Sequence, residues 1–321
     1  MAIADSTRLL VTAPDQGRRR KRTKIPLTPG ERRNLRLARA LLWPALIVAI
    51  LITQVPFVVT IYYSFQTWNL QRPRDRGFAG LENYVDVLTN GAFFSSLWAT
   101  VLIVGSSAVI SLVVGMALAM LLDRKFFGRG LARTLLITPF LMMPAASALI
   151  WKWSMLDNDA GMVNWVLGLI GISPIAWNTS LPILTVIITL AWQYTPFMML
   201  ILLAGLQSQP QDVLEAASVD GAGPVRTFFS MTLPHLRQYV ELAVLLGVIL
   251  MLQVFDPVNI MTKGTGGTKT MAYLLYERAF IGSDIGEASA YGVLTVIVTI
   301  VVATIALRTL FKMLKVEGDL R

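Results

Sequence analysis

The chain has 321 residues, of which 55% are hydrophobic and only 15% charged, and its formal net charge is +9. A soluble domain carries about 25% charged residues, so this balance points to membrane spans. With no cysteine and one histidine, His235, the chain cannot build a disulfide framework, a thiolate nucleophile, or a Cys- or His-rich metal site.

Residues 1–40 are polar and basic, with the run Arg18-Arg19-Arg20-Lys21-Arg22 followed by Arg32, Arg33, Arg36 and Arg39. The opening lacks the apolar stretch of a signal peptide. It reads as a cytoplasmic tail held near anionic membrane lipids, and with no folded binding module beside it nucleic acid is not an expected partner.

About 20 apolar residues cross the hydrocarbon core. Charge-free stretches of that length place a first span at 41–65 and a second at 98–122, and a largely apolar stretch places a third at 131–151. The third carries Pro139 and Pro144, so neighbouring helices must satisfy the carbonyls that the prolines free. The apolar stretch 162–172 is too short to span and reads as an interfacial helix. Span four is expected at 181–206, span five at 239–259 and span six at 288–307, before a short cytoplasmic C-terminus at 316–321. Six spans put 21 of the 28 lysines and arginines on the side of the amino terminus. By the positive-inside rule that side is cytoplasmic, and so is the polar island 207–237 between spans four and five.

Pro210 suits the first turn of a helix and Asp212 complements its positive end. A short helix is therefore expected over 211–219, bearing Glu215, Ala216 and Ala217. Gly221 can take a positive φ and break it. Gly223-Pro224 starts a second short helix, and Leu233-Pro234 closes the unit before span five. Two short helices with alanines at their contact make either a knob for a groove on a soluble partner or an ordinary amphipathic loop.

Glu215-Ala216-Ala217, Asp220-Gly221-Ala222, Phe228 and Leu233-Pro234, in this order and spacing, resemble the EAA loop of ABC importer permeases. Met231 stands where that family usually has Ile. The resemblance extends over 41–315: Trp192, Pro196-Phe197 and Ala204-Gly205-Leu206 are similar to the span before the loop in maltose-type permeases. Phe255-Asp256, Met261-Thr262, Gly264, Gly266, Gly267 and 276–280 are similar to the region after span five. The stretch Asp284-Ile285-Gly286-Glu287-Ala288-Ser289-Ala290 is similar to members that carry sugar alcohols.

The resemblance implies an all-α, six-span permease domain with the type I ABC importer fold in the bacterial inner membrane. It implies that Glu215, Ala216, Ala217, Asp220, Gly221, Ala222, Leu233 and Pro234 couple to ATP-binding subunits. It further implies two such subunits, which bind ATP and Mg, a second homologous permease subunit and an extracytoplasmic solute-binding protein. No cofactor or metal is expected in this chain itself. The cargo would be an oligosaccharide or sugar alcohol, with glycerol 3-phosphate as the alternative.

A sugar presents hydroxyls and C–H faces, so its site needs amides or carboxylates beside aromatic rings. Trp192, Gln193, Tyr194 and Phe197 on span four, with Gln253 and Asn259 on span five, supply that mixture. Asp256 is the one carboxylate placed to stand at the mouth of the pathway, since charges within spans usually face cavities. An ion-coupled secondary transporter would need more ionisable residues in mid-membrane than Asp256. Gly264-Thr265-Gly266-Gly267-Thr268-Lys269-Thr270 imitates a phosphate-binding loop but has Thr268 where glycine must precede the lysine, and no βαβ unit surrounds it.

Overall fold

The computed structural model describes residues 29–316. The run Arg18-Arg19-Arg20-Lys21-Arg22 and the expected C-terminus beyond residue 316 lie outside the described residues. Packing divides the chain into two units, Met1–Pro56 and Phe57–Arg321. Helix α1 (Pro29–Ser64) carries Pro44 and Pro56, and its part Leu42–Ser64 is long and apolar enough to cross a membrane.

Two short strands follow, β1 (Gln66–Thr67) and β2 (Gly77–Phe78), paired antiparallel. The other elements are helical: α2 (Glu82–Thr89), α3 (Gly91–Asp123), α4 (Arg129–Leu141), α5 (Pro144–Leu149), α6 (Met162–Leu169), α7 (Trp177–Ser180), α8 (Pro182–Gln207), α9 (Gln211–Val219), α10 (Pro224–Thr227), α11 (Leu233–Met251), α12 (Met271–Tyr276) and α13 (Ile285–Val316). Among the described residues five helical stretches are long and apolar enough to span, and a sixth forms if one bent pair counts as a single span. Helix α6 falls within the stretch read as interfacial and is not among the five.

Three expectations are corrected. The third span is not one straight helix. Arg129–Leu141 and Pro144–Met155 meet at 97°. The backbone at Met142 and Met143 is extended, as a residue before proline prefers, and Ile150–Met155 continues α5 as a π-helical turn. The second correction concerns Leu233-Pro234, which does not close a separate short helix. Helix α10 runs through a π-helical turn, Phe228–Thr232, straight into α11, so Pro224–Met251 is one 28-residue stretch. Pro234 cannot supply an N–H to the preceding turn, and the wider π turn accommodates that loss at the start of α11. Third, span five ends at Met251, not at 259. The chain then turns through 252–256 and forms a π-helical turn at Val258–Thr262.

The core sits between α3 and α8. The small residues Ser107, Ser111 and Gly115 recur every fourth position on one face of α3, which lets the two backbones approach. Ser107 Oγ donates to the Ile187 carbonyl at 3.4 Å and Ser111 Oγ to that of Ala191 at 3.3 Å. A β-carbon at Gly115 would stand 3.1 Å from the Met199 amide nitrogen. Around this seam Ile103, Leu190, Met198, Met199, Leu202 and Leu236 are fully buried. Gly115→Leu is therefore expected to cost about 1–3 kcal/mol through overpacking, read as a lower midpoint in thermal unfolding of the detergent-purified subunit.

Beyond the C-terminal end of α1, Asn83 Nδ2 donates to the carbonyls of Ser64 and Gln66 at 2.9 Å each. Arg76 lies 4.2 Å over the Trp68 ring, and Asp284 Oδ1 accepts the Glu287 N–H at 3.0 Å, capping α13. Gly286 lies so close to the Gln66 carbonyl that a β-carbon would collide with it. The stretch 284–287 thus has a complete packing role in tying α13 to this cap.

Candidate functional site

The polar island forms the compact unit that its punctuation predicts, with α9 at 211–219 as expected. Gly221 has φ +76°, its N–H donates to the Ser218 carbonyl at 3.1 Å, and the Ala222 N–H donates to the Ala217 carbonyl at 2.9 Å. This is a Schellman closure, with glycine at the left-handed position. Ala217 is buried, while Glu215, Ala216, Asp220 and Gly221 are exposed. A β-carbon at Gly221 would meet open space, so within the described residues the glycine is required by its backbone angle. Val219, Val225 and Phe229 stand 86%, 70% and 59% exposed on the same unit. These apolar side chains sit among charged ones at the end of a span.

The base of the island is clamped to α8. Ser208 Oγ lies 3.1 Å from His235 Nε2 and 2.9 Å from Tyr239 Oη. A β-carbon at Gly205 would stand 2.6 Å from both Leu236 and the Tyr239 ring. Arg237 Nε donates to Glu241 Oε1 at 2.9 Å, so Glu241 is half of an ion pair one turn apart. His235 is accordingly a joint residue between two helices.

The aromatic and amide residues of α8 are brought together by the broken third span. Trp192 meets Trp151 edge to face at 5.9 Å. Phe140 meets Tyr194 at 6.2 Å and Phe197 at 5.1 Å. Gln193 Nε2 donates to the Met142 carbonyl at 3.2 Å, a carbonyl set by the bend itself. Phe140, Met142 and Trp151 are the partners that sequence reasoning missed; the signal for them was the spacing of Pro139 and Pro144 in one apolar run. Gln193 is 2% exposed, yet its Oε1 has no hydrogen-bond partner among the described residues. Ser147 Oγ and Trp151 Nε1 are buried in the same condition. A donor and acceptors left open in this way are unusual in a protein interior.

Gln253, Asp256 and Asn259 lie beyond α11, not on span five. Gln253 is exposed in the turn, and Asp256 and Asn259 are half-buried. Asp256 comes within electrostatic range of Tyr194, which joins one of the three to the α8 cluster. The π-helical turn containing Asn259 is fastened to the broken span by Lys152, whose Nζ donates to the Ile260 carbonyl at 2.6 Å. Trp192, Gln193, Tyr194 and Phe197 thus share one neighbourhood.

The glycine-rich segment has a packing explanation. Gly264, Gly266 and Gly267 all have positive φ, and a β-carbon at Gly266 would collide with Pro182 at the start of α8. Thr262 and Thr268 hydroxyls meet at 2.7 Å, and Lys269 pairs with Glu277 at 2.6 Å. Burial raises the Tyr273 phenol above its ordinary value, so it stays protonated beside this loop.

Residues 92–315 match the family described as binding-protein-dependent transport system inner membrane component. The chain belongs to that family. Over 275 residues this permease is 34% identical to the trehalose/maltose transport system permease protein MalF of Thermococcus litoralis, covering 84% of this chain and 91% of that one. It is 30% identical to the sn-glycerol-3-phosphate transport system permease protein UgpA of Yersinia pestis, covering 84% of this chain and 92% of the relative. A crystal structure of a bacterial ABC transporter involved in import of the acidic polysaccharide alginate superposes with a TM-score of 0.72 at 19% identity, covering 86% of this permease and 95% of that chain. That likeness establishes the importer-permease fold, and with it the all-α, multi-pass architecture.

Proposed function

We propose that the permease forms half of the translocation pathway of an ATP-driven, binding-protein-dependent importer of a sugar or sugar alcohol. In this reading it works with a second homologous permease subunit, two ATP-binding subunits that hold ATP and Mg, and an extracytoplasmic solute-binding protein. The island 207–237 and both termini face the cytoplasm, a placement supported by the lysine and arginine distribution.

The observation that carries the coupling role is the shape of the island. Exposed Val219, Val225 and Phe229 beside Glu215 and Asp220 suit a helix-in-groove contact. The unit is joined to a span without a break, since Pro224–Met251 is one helical stretch. ATP-driven closure of the partner subunits would pull on it and switch the pathway between inward and outward access. Moving such an equilibrium from 1:99 to 99:1 takes about 5.5 kcal/mol, so the contact has to be firmly seated.

For the cargo, the buried open atoms of Gln193, Trp151 and Ser147 favour a polyhydroxylated molecule, whose hydroxyls both donate and accept. Asp256 adds negative charge near Tyr194, which favours an uncharged sugar or polyol over a phosphate ester. The test is uptake by proteoliposomes holding the permease with its partner subunits, supplied with the binding protein and with labelled trehalose, maltose, sorbitol or glycerol 3-phosphate. ATP-dependent uptake of a neutral compound is expected. Uptake driven by an ion gradient without ATP would overturn the reading, and exclusive uptake of the phosphate ester would overturn the cargo assignment. In the same assay Gln253→Ala is expected to slow uptake severalfold, by about 1 kcal/mol for one lost hydrogen bond, with ATPase binding unchanged; unaltered kinetics would remove Gln253 from the pathway.

A further inference from the structure

Between the end of α3, the start of α4 and the start of α9 lies an open cavity of about 550 Å³. Its walls include Lys125, Arg129 and Arg133 on one side and Gln207 and Gln211 on the other, with Asp123 as the one carboxylate. Arg129 and Arg133 stand one turn apart on α4, so both side chains project from the same face. None of the three cations has an ion-pair partner among the described residues. Three cations facing one carboxylate leave this cavity strongly attractive to an anion.

Its surroundings say which kind of anion. Phe127, in the same loop, is fully exposed, and Leu206 and Leu214 line the cavity itself. Cations, amides and apolar chains thus lie side by side at the end of two spans. That is the profile of a site at the level where lipid headgroups meet acyl chains. A free phosphate would use the cations and amides but would gain nothing from Phe127 or Leu206.

We propose that this cavity binds the phosphate headgroup of an anionic phospholipid, with Arg129 and Arg133 on the phosphate, Gln207 and Gln211 on the remaining headgroup oxygens, and the acyl chains along Phe127 and Leu206. Arginine suits phosphate through its planar array of donors. Because one wall belongs to α4 and the other to the segment leading into α9, a bound lipid ties the broken span to the island. The site is independent of which cargo is carried.

Native mass spectrometry of the full-length permease, purified in its complex, tests this with phosphatidylglycerol and phosphatidylcholine as probes. One phosphatidylglycerol is expected to stay bound, with phosphatidylcholine lost. Each basic residue near a membrane surface contributes roughly fivefold in affinity, so Arg129→Gln with Arg133→Gln is expected to weaken retention about thirtyfold. Arg308→Gln, a basic residue outside the cavity, is expected to leave retention unchanged. Should the double variant fail to fold, Lys125→Gln in the loop is expected to weaken retention about fivefold on its own. Equal retention of the two lipids, or variants that match the wild type, would overturn the site. Displacement of phosphatidylglycerol by millimolar inorganic phosphate would overturn the lipid assignment in favour of a free-phosphate site.

Discussion

Gly221→Asp is expected to abolish ATP-driven uptake while the permease still reaches the membrane in normal amount. Gly221 sits at φ +76° in the closure of α9, a conformation that costs an ordinary L-residue about 1–2 kcal/mol. Its β-carbon would meet nothing among the described residues, so folding is expected to tolerate the substitution better than docking does. The added carboxylate would stand next to Asp220 on the surface proposed to meet the ATP-binding subunits and would either tilt α9 or hold the partner away. Gly221→Asn, which visits positive φ more readily, is expected to keep a measurable part of the uptake. Immunoblots of membranes, pull-down of the ATP-binding subunit and uptake assays separate the possibilities. Normal uptake by the Asp variant would count against the coupling role of the island.

Gln193→Leu is expected to raise the KM for cargo about tenfold, the weight of one or two hydrogen bonds, with little change in thermal stability. The residue is 2% exposed, and leucine nearly matches its volume. Folding loses the bond from Nε2 to the Met142 carbonyl but also loses a buried acceptor, Oε1, that has no partner among the described residues. Met142, whose carbonyl loses its donor, is only half-buried, so the net cost is expected to stay at about 1 kcal/mol. A cargo hydroxyl that donates to Oε1 would lose its partner outright. An unchanged KM with retained stability would take Gln193 off the pathway, whereas loss of folded protein would assign it to packing alone.

The spans were legible because charges are costly in the membrane, so uncharged runs bounded by basic residues mark them well. The island was legible for a different reason, since Pro210, Gly221 and Gly223-Pro224 each demand a particular backbone geometry. What could not be read was the fate of apolar segments that are not single helices. Residues 252–259 are largely apolar, with Val254, Val258 and the preceding proline buried, and composition cannot tell such a turn from the last turns of a span. The same limit hid the bend at Met142. Pro139 and Pro144 announced a disturbance, but the 97° angle depends on how α4 and α5 pack around α8. Leu233-Pro234 misled in the opposite direction, because a proline that usually marks a boundary is absorbed by a π turn. The seam of Ser107, Ser111 and Gly115 was present as a four-residue period, but small residues carry weight only once the facing helix is known.

The unbroken stretch from Pro224 to Met251 has a mechanical meaning. Its 28 residues make a rod about 42 Å long at about 1.5 Å per residue. Pivoting such a rod by about 10° around its middle carries each end about 4 Å, in opposite directions. The near end carries Val225 and Phe229, and the far end delivers the turn that leads to Asp256 and Asn259. The Ser208, His235 and Tyr239 joint, with Gly205 pressed against the Tyr239 ring, lies near the middle of the rod and would serve as its fulcrum. Softening that joint would leave both ends intact and disconnect the motion of one from the motion of the other.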